Sequence, residues 1–145
     1  MINILNIYYR YVYDAAMLTG VNVYLNGKKI SFKNLTAYAK CYSENVEMLS
    51  FQSKDCNVVL TPSKGIDFEY IAFTNGVFNK DGGVHVEQWS ESIFRPLLSK
   101  INKPKKPQLN IKDVKRFFRI FIDCKVVNPE FSSQSKTYLS SPNVT

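Results

Sequence analysis

The sequence predicts an α+β fold, in which a mixed, mostly antiparallel sheet comes first and two long helices then cover one of its faces. Short runs of β-branched and aromatic residues fill the first half, and Asn26-Gly27 separates two extended runs, as in a hairpin. Two stretches with apolar residues at helical spacing follow, one after Gly82-Gly83 and one after Asn110. With 145 residues, 45% of them hydrophobic, the chain can build one core and is too apolar for a disordered tail.

The first half is expected to begin with a helix over residues 1–20, which Gly20 ends. After the hairpin, Asn34 is placed to cap a short helix that runs to Tyr42. A sheet of three or four strands is then predicted from the patterns within 47–51, 57–61 and 67–74.

The first long helix is predicted from apolar residues that share one helical face, and Pro96 inside it should bend or interrupt it. Those residues are Val86, Trp89, Ile93, Leu97 and Ile101. The second should start at an N-cap, Asn110, with Asp113 in its first turn, and end near Asn128-Pro129. Its outer face would carry a basic stripe at positions i, i+3, i+4 and i+7, namely Lys112, Lys115, Arg116 and Arg119.

The net charge of +7 is concentrated in residues 100–119, which hold eight Lys or Arg and one Asp. This local excess predicts an anionic partner, or else a solvated helix face beside a solubility loop. Lys103, Lys105 and Lys106 alternate with prolines that hold the loop extended, so their ammonium groups suit a phosphate backbone without reading bases. We therefore favour DNA contact by these three lysines.

Other sequence features exclude several classes of protein. The three cysteines, Cys41, Cys56 and Cys124, are widely spaced, which predicts no structural zinc site and fits a reducing compartment. No window of 18 uninterrupted apolar residues predicts a membrane span, and Arg10 and Asp14 interrupt any secretory signal, so an intracellular protein is expected.

Few residues carry chemistry by their spacing alone. His85 is the only histidine and lies in no GxSxG or HExxH string, so it is interpreted as a packing residue. Gly82-Gly83 could hold a phosphate at a helix N-terminus, although a tight turn is the favoured interpretation. The Lys136 ammonium suits a terminal phosphate oxygen, and Gln134 could hold another oxygen or the lysine itself.

Residues 128–137, which read NPEFSSQSKT, resemble the NPxFxSQTK segment of type IIA DNA topoisomerases, with Ser135 in place of the usual Thr. Residues 73–76 and 82–86 resemble the family's FVNxx and GGxHV segments, and residues 21–30 its VKVYLNGKKI strand pair. Residues 13–16 resemble its YDIA helix end. Because order and spacing match over essentially the whole chain, the sequence is identified as a member of this family, in its eukaryotic or large-DNA-virus branch.

The resemblance implies a transducer domain, the second half of the ATPase region, with a ribosomal-S5-domain-2-like sandwich and a left-handed βαβ crossover. Residues 1–145 would form this single domain, with 1–20 as an entering helix and 137–145 as the start of a linker. The preceding GHKL nucleotide-binding domain would lie outside this chain.

The resemblance also implies the roles of site residues. Lys136 would contact the γ-phosphate of ATP, supported by Gln134, and Lys103, Lys105 and Lys106 would occupy the family's DNA-touching loop, where prolines replace the usual Gly-containing sequence. ATP would be shared with the GHKL domain, and Mg²⁺ would not be ligated by this chain.

The implied function is to couple ATP binding and hydrolysis to DNA gate movement and strand passage, with the isolated segment inactive. Its implied partners are duplex DNA, the GHKL domain and the TOPRIM/cleavage core of the same polypeptide, and a second copy in a homodimer, with no membrane. The nucleus or a cytoplasmic viral replication site would be its location. The alternative is a stand-alone nucleic-acid-binding α/β module without ATP coupling.

Overall fold

The computed structural model of the chain describes residues 4–43, 46–102 and 108–144. They divide into two compact units, Met1–Asn45 and Val46–Thr145. The assignment of the whole chain to one functional domain therefore stays a proposal.

The first unit contains a helix, a hairpin and a second, short helix: α1 (Ile4–Thr19), β1 (Val23–Leu25), β2 (Lys28–Ile30) and α2 (Leu35–Ala39). All were predicted. Gly20 ends α1 at a φ of +66°, and Asn26 and Gly27 turn the hairpin with positive φ. The Asn34 side chain caps α2 by accepting a hydrogen bond from the Ala37 N–H at 2.9 Å.

The second unit is built on a five-stranded sheet with the order β3-β4-β8-β5-β6. Its strands are β3 (Leu49–Gln52), β4 (Cys56–Pro62), β5 (Glu69–Thr74), β6 (Val77–Phe78) and β8 (Phe118–Cys124). A smaller sheet has the order β7-β10-β9, formed by β7 (Gly82–Gly83), β9 (Glu130–Phe131) and β10 (Tyr138–Ser141). Pairing is antiparallel except for β5 with β8 and β7 with β10.

Helix α3 (Val84–Ile101) packs on one face of the five-stranded sheet, and the core lies between them. Phe94 on the helix is fully buried, in one apolar cluster with strand residues such as Val58, Ile120 and Ile122. The chain runs from β5 through α3 to β8, which lies beside β5 and parallel to it, so this is a βαβ crossover. The left-handed sense of this crossover remains a prediction.

The second long helix is not formed, and this prediction was wrong. Helix α4 (Ile111–Lys115) has five residues, although Asn110 is its N-cap as predicted and forms a capping box with Asp113. The chain then enters β8, which pairs with β4 on one side and β5 on the other. A central strand is buried on both faces and reads as a nearly continuous apolar run, which periodicity alone cannot separate from a helix.

The expectation of a linker over 137–145 also needs correction. Tyr138–Ser141 form β10 between β7 and β9, and Leu139 is fully buried in the core, so these residues belong to the folded unit. The structure also joins Cys56 to Cys124, register partners on β4 and β8, by a disulfide, whereas the sequence had indicated a reducing compartment. No helix of the described residues is long and apolar enough to cross a membrane.

Candidate functional site, an exposed turn between two short strands

Gln134 and Lys136 lie on one exposed turn between β9 and β10. The two strands pair at Phe131 and Leu139, and the Ser132 N–H donates to the Tyr138 carbonyl at 3.1 Å. The turn closes where the Lys136 N–H donates to the Ser133 carbonyl at 3.0 Å. The sheet therefore presents both predicted phosphate-contacting side chains together on the surface.

The Lys136 ammonium is oriented toward solvent and toward one aromatic ring. Its Nζ lies 5.7 Å from the centroid of the Phe131 ring, and the residue is exposed. Among residues 4–43, 46–102 and 108–144, no carboxylate forms an ion pair with it. An exposed ammonium without such an ion pair can donate to an external phosphate oxygen without first losing an internal partner.

The backbone of Lys136 is held in an unusual conformation by a buried asparagine. Lys136 has a φ of +55°, in the left-handed region that side-chain-bearing residues rarely adopt. The Asn79 Nδ2 donates to its carbonyl at 2.9 Å, and the Asn79 Oδ1 accepts from the Thr74 hydroxyl at 2.7 Å. The sequence did not indicate a role for Thr74 or Asn79. Asn79 and Lys136 are 57 positions apart, and no local sequence pattern predicts a contact between such distant residues.

The Gly82-Gly83 pair lies in a short strand, although a tight turn was the favoured interpretation. Both glycines are buried in β7, alongside β10. A Cβ on Gly83 would lie 2.5 Å from the Leu139 carbonyl oxygen, and one on Gly82 would lie 3.3 Å from the Tyr70 ring. Protein atoms, not open space, therefore adjoin the two glycines.

His85 is a packing residue, as predicted. It is fully buried, and neither ring nitrogen has a hydrogen-bond partner in the described part of the chain. Burial lowers the pKa of His85 to about 4, so the imidazole is neutral at physiological pH. No group of three or more potential metal ligands occurs within the described ranges.

The predicted basic stripe does not exist as one helical face. Lys112 and Lys115 lie on α4, and Lys115 Nζ sits 4.8 Å from the centroid of the Phe68 ring. Arg119 lies on β8, where its Nε donates to the Glu69 carboxylate on β5 at 2.6 Å. The prediction of the stripe was wrong for the same reason as the prediction of the long helix, because Arg119 belongs to a strand.

The predicted DNA-contacting residues Lys103, Lys105 and Lys106 lie outside the described residues. The residues that flank them are joined, however. Asn102 Nδ2 donates to the Leu109 carbonyl and Asn102 Oδ1 accepts from the Leu109 N–H, each at 2.9 Å. Asn102 and Leu109, which flank these lysines in the sequence, are therefore held side by side.

This fold is that of a class of protein, the type II DNA topoisomerases, whose ATPase regions the structure resembles. The solved ATPase region of Saccharomyces cerevisiae topoisomerase II matches with a TM-score of 0.82 and 30% identity, over 97% of this chain and 37% of that chain. The ATPase and transducer domains of DNA topoisomerase II from Balamuthia mandrillaris match with a TM-score of 0.69 and 28% identity, over 95% and 36%.

The sequence comparisons agree. The model of the DNA gyrase B family matches residues 20–145. The chain therefore belongs to this family and thus to the type IIA topoisomerases. It is 37% identical to DNA topoisomerase 2 of Invertebrate iridescent virus 6 over 97% of this chain, and 34% identical to that of Bombyx mori over 88%. The chain spans 13% and 9% of the lengths of those two proteins.

Proposed function

We propose that this chain is the transducer segment of an ATP-dependent type IIA topoisomerase. In this proposal it couples ATP binding and hydrolysis in a neighbouring GHKL domain to DNA gate movement and strand passage. The observation that supports it best is the exposed 133–136 turn, which hydrogen bonds from buried residues fix to the sheet. The turn carries Gln134 and an ammonium that no carboxylate of the described residues pairs with.

The coupling would work through charge. Lys136 would bind the γ-phosphate of ATP in the GHKL domain, and Gln134 would hold a second oxygen or the lysine itself. This contact exists only while the γ-phosphate is in place. Hydrolysis would remove it and release the turn, so that the transducer can rotate and open the DNA gate. Mg²⁺ stays with the GHKL domain in this proposal.

The proposal also includes the other partners expected for the parent enzyme. Lys103, Lys105 and Lys106 would contact the backbone of duplex DNA without sequence preference. The GHKL domain and the TOPRIM/cleavage core would belong to the same polypeptide, which would act as a homodimer inside the cell, in the nucleus or at a viral replication site.

The test is Lys136→Ala in the full-length enzyme, assayed for ATP-driven relaxation of supercoiled DNA. Loss of a charge-assisted hydrogen bond should reduce the relaxation rate about 10- to 100-fold, whereas DNA binding should persist. Lys64→Ala removes another exposed lysine from a turn of the same unit and should leave the rate unchanged.

A second function has one observation in its favour, the +7 charge of residues 100–119. A stand-alone nucleic-acid-binding module would need this charge and would have no use for Lys136. Unchanged relaxation in Lys136→Ala, together with DNA binding by the 145-residue protein, would contradict the coupling proposal and favour this alternative.

A further inference from the structure

We infer that Asn79 is a positioning residue for Lys136, and that its buried side-chain amide sets the direction in which the lysine leaves the 133–136 turn. This inference rests on the proposed contact between Lys136 and a terminal phosphate. It adds to that proposal a residue of the protein interior, one that touches no ligand.

The Asn79 side chain bridges the sheet and the turn. The residue is fully buried. Its Oδ1 accepts from the Thr74 hydroxyl at the end of β5, and its Nδ2 donates to the Lys136 carbonyl. Its own backbone N–H donates to the Ala72 carbonyl of β5 at 2.8 Å, so Asn79 is itself fixed to a central region of the sheet.

The hydrogen bond to the Lys136 carbonyl controls the direction of the Lys136 side chain, because the backbone at this residue has an unusual conformation. At a φ of +55°, the lysine is in a region that its Cβ disfavours, so tertiary contacts must hold it. The next carbonyl, that of Thr137, accepts from the Asp81 N–H at 2.9 Å. Two successive carbonyls are thus tied to residues 79–81, which fixes the peptide plane after Lys136 and with it the course of its side chain.

Only an amide fits both ends of this bridge. The site needs an acceptor toward Thr74 and a donor toward Lys136, and a side-chain amide offers both. Aspartate has the same shape but cannot donate when ionised, so Asn79→Asp removes the bond to Lys136, and it also places a charge in the interior. Thr74→Val keeps the shape of Thr74 and removes its bond to the Asn79 Oδ1.

The enzymatic test uses both variants in the full-length enzyme and measures kcat and KM for ATP. Each should lower kcat/KM for ATP about three- to tenfold, which corresponds to the loss of one hydrogen bond. Combined with Lys136→Ala, either variant should cause no further loss, because both changes act through one contact. Thr61→Val is the matched control, since the Thr61 hydroxyl is buried without a hydrogen-bond partner in the described part of the chain.

A purely structural role would give a different pattern. The reductions in kcat/KM for ATP would then multiply with the reduction caused by Lys136→Ala. Such independent effects would overturn the inference. If Asn79→Asp prevents folding, Thr74→Val alone decides, because it places no charge in the interior.

A second measurement separates failure of this inference from failure of the proposed function. In the 145-residue protein, hydrogen exchange of the Lys136 amide should be about three- to tenfold faster in both variants than in the parent. Amides paired between β4 and β8 should exchange at unchanged rates. If Lys136→Ala leaves the relaxation rate of the enzyme unchanged, the proposed phosphate contact is wrong. If the exchange rate of the Lys136 amide is unchanged in both variants, the positioning role of Asn79 is wrong.

Discussion

At the scale of single residues, the site depends on a close approach between two short strands. Gly83 on β7 has a φ of +142°, and any Cβ there would lie within 2.6 Å of both the nitrogen and the oxygen of Leu139. Neither backbone atom can move away without breaking the pairing of β7 with β10. The glycine is therefore required by contact as well as by conformation.

Gly83→Ala should destabilise the protein by several kcal/mol, since it combines backbone strain of about 1–3 kcal/mol with a clash against fixed backbone. Gly76→Ala is the control, because Gly76 also has a positive φ but an added Cβ there would lie within 4 Å of no atom of the described residues. Urea unfolding at neutral pH would measure both. Equal losses in the two variants would contradict the close-contact argument.

His85 makes the stability of the protein sensitive to acid. Its pKa falls from 6.5 to about 4 on folding because the ring is buried. Between these values the unfolded chain binds the proton more tightly, so stability present above pH 6.5 is lost as the pH falls toward 4. The loss is at most about 1.4 kcal/mol per pH unit.

His85→Leu should flatten this part of the stability curve, as measured by urea unfolding at several pH values between about 7.5 and 4.5. Burial raises the pKa of Asp14 and of Asp123, and these carboxyls act in the opposite sense as the pH falls toward their raised values. Both proteins contain them, so the difference between the two curves isolates the histidine. Parallel curves would show that His85 does not titrate as described.

At the scale of elements, β8 is the central strand of the second unit. It pairs with β4 through seven residues and with β5 through six, and alternate side chains face the core beneath α3. Arg119 and Glu69 form an ion pair across the parallel β5–β8 pair. The strand therefore connects the antiparallel and the parallel parts of one sheet.

Ile122→Ala should cost about 2–5 kcal/mol, because the side chain is fully buried between Val58 and Ala72 and its removal leaves a cavity. Val127→Ala, three residues beyond the strand at a position 83% exposed, should change stability by no more than about 0.5 kcal/mol. Thermal or urea unfolding measures both. A small change in the free energy of unfolding for Ile122→Ala would argue against the position of β8 at the centre of the sheet.

At the scale of the whole molecule, charge is distributed unevenly. The excess lies within residues 100–119, and the remaining residues carry equal numbers of acidic and basic side chains. Because Arg119 pairs with Glu69 and Lys115 lies over Phe68, not every charge of this segment is equally available. The three lysines between Asn102 and Gln108 remain the proposed DNA contacts.

Replacing Lys103, Lys105 and Lys106 with Ala should weaken DNA binding and reduce the slope of log affinity against log salt by roughly 0.9 for each phosphate that a lysine no longer neutralises. Fluorescence anisotropy with duplex DNA at several salt concentrations gives the slope. Lys28, Lys29 and Lys33, all exposed in the first unit, provide a control with the same change of charge. If both triple variants change the slope equally, the effect is one of net charge and not of direct binding by the 103–106 lysines.

The sequence alone determined the elements that depend on local chemistry. The Asn26-Gly27 hairpin, the Asn34 and Asn110 caps and the long helix after Gly83 form as predicted, because turn geometry, capping and helical periodicity act within a few residues. It also determined the family, through motifs spread along the chain. The role of Gln134 and Lys136 as phosphate contacts stays a prediction.

Only the tertiary structure decided the rest. Whether the apolar run of β8 is helix or strand depends on neighbours that arrive from β4 and β5, and its aromatic and aliphatic residues satisfy both patterns. The disulfide of Cys56 with Cys124 follows from that register. The bridge from Thr74 through Asn79 to Lys136 likewise joins distant segments, and a buried hydrogen bond of this kind leaves no periodic trace in the sequence.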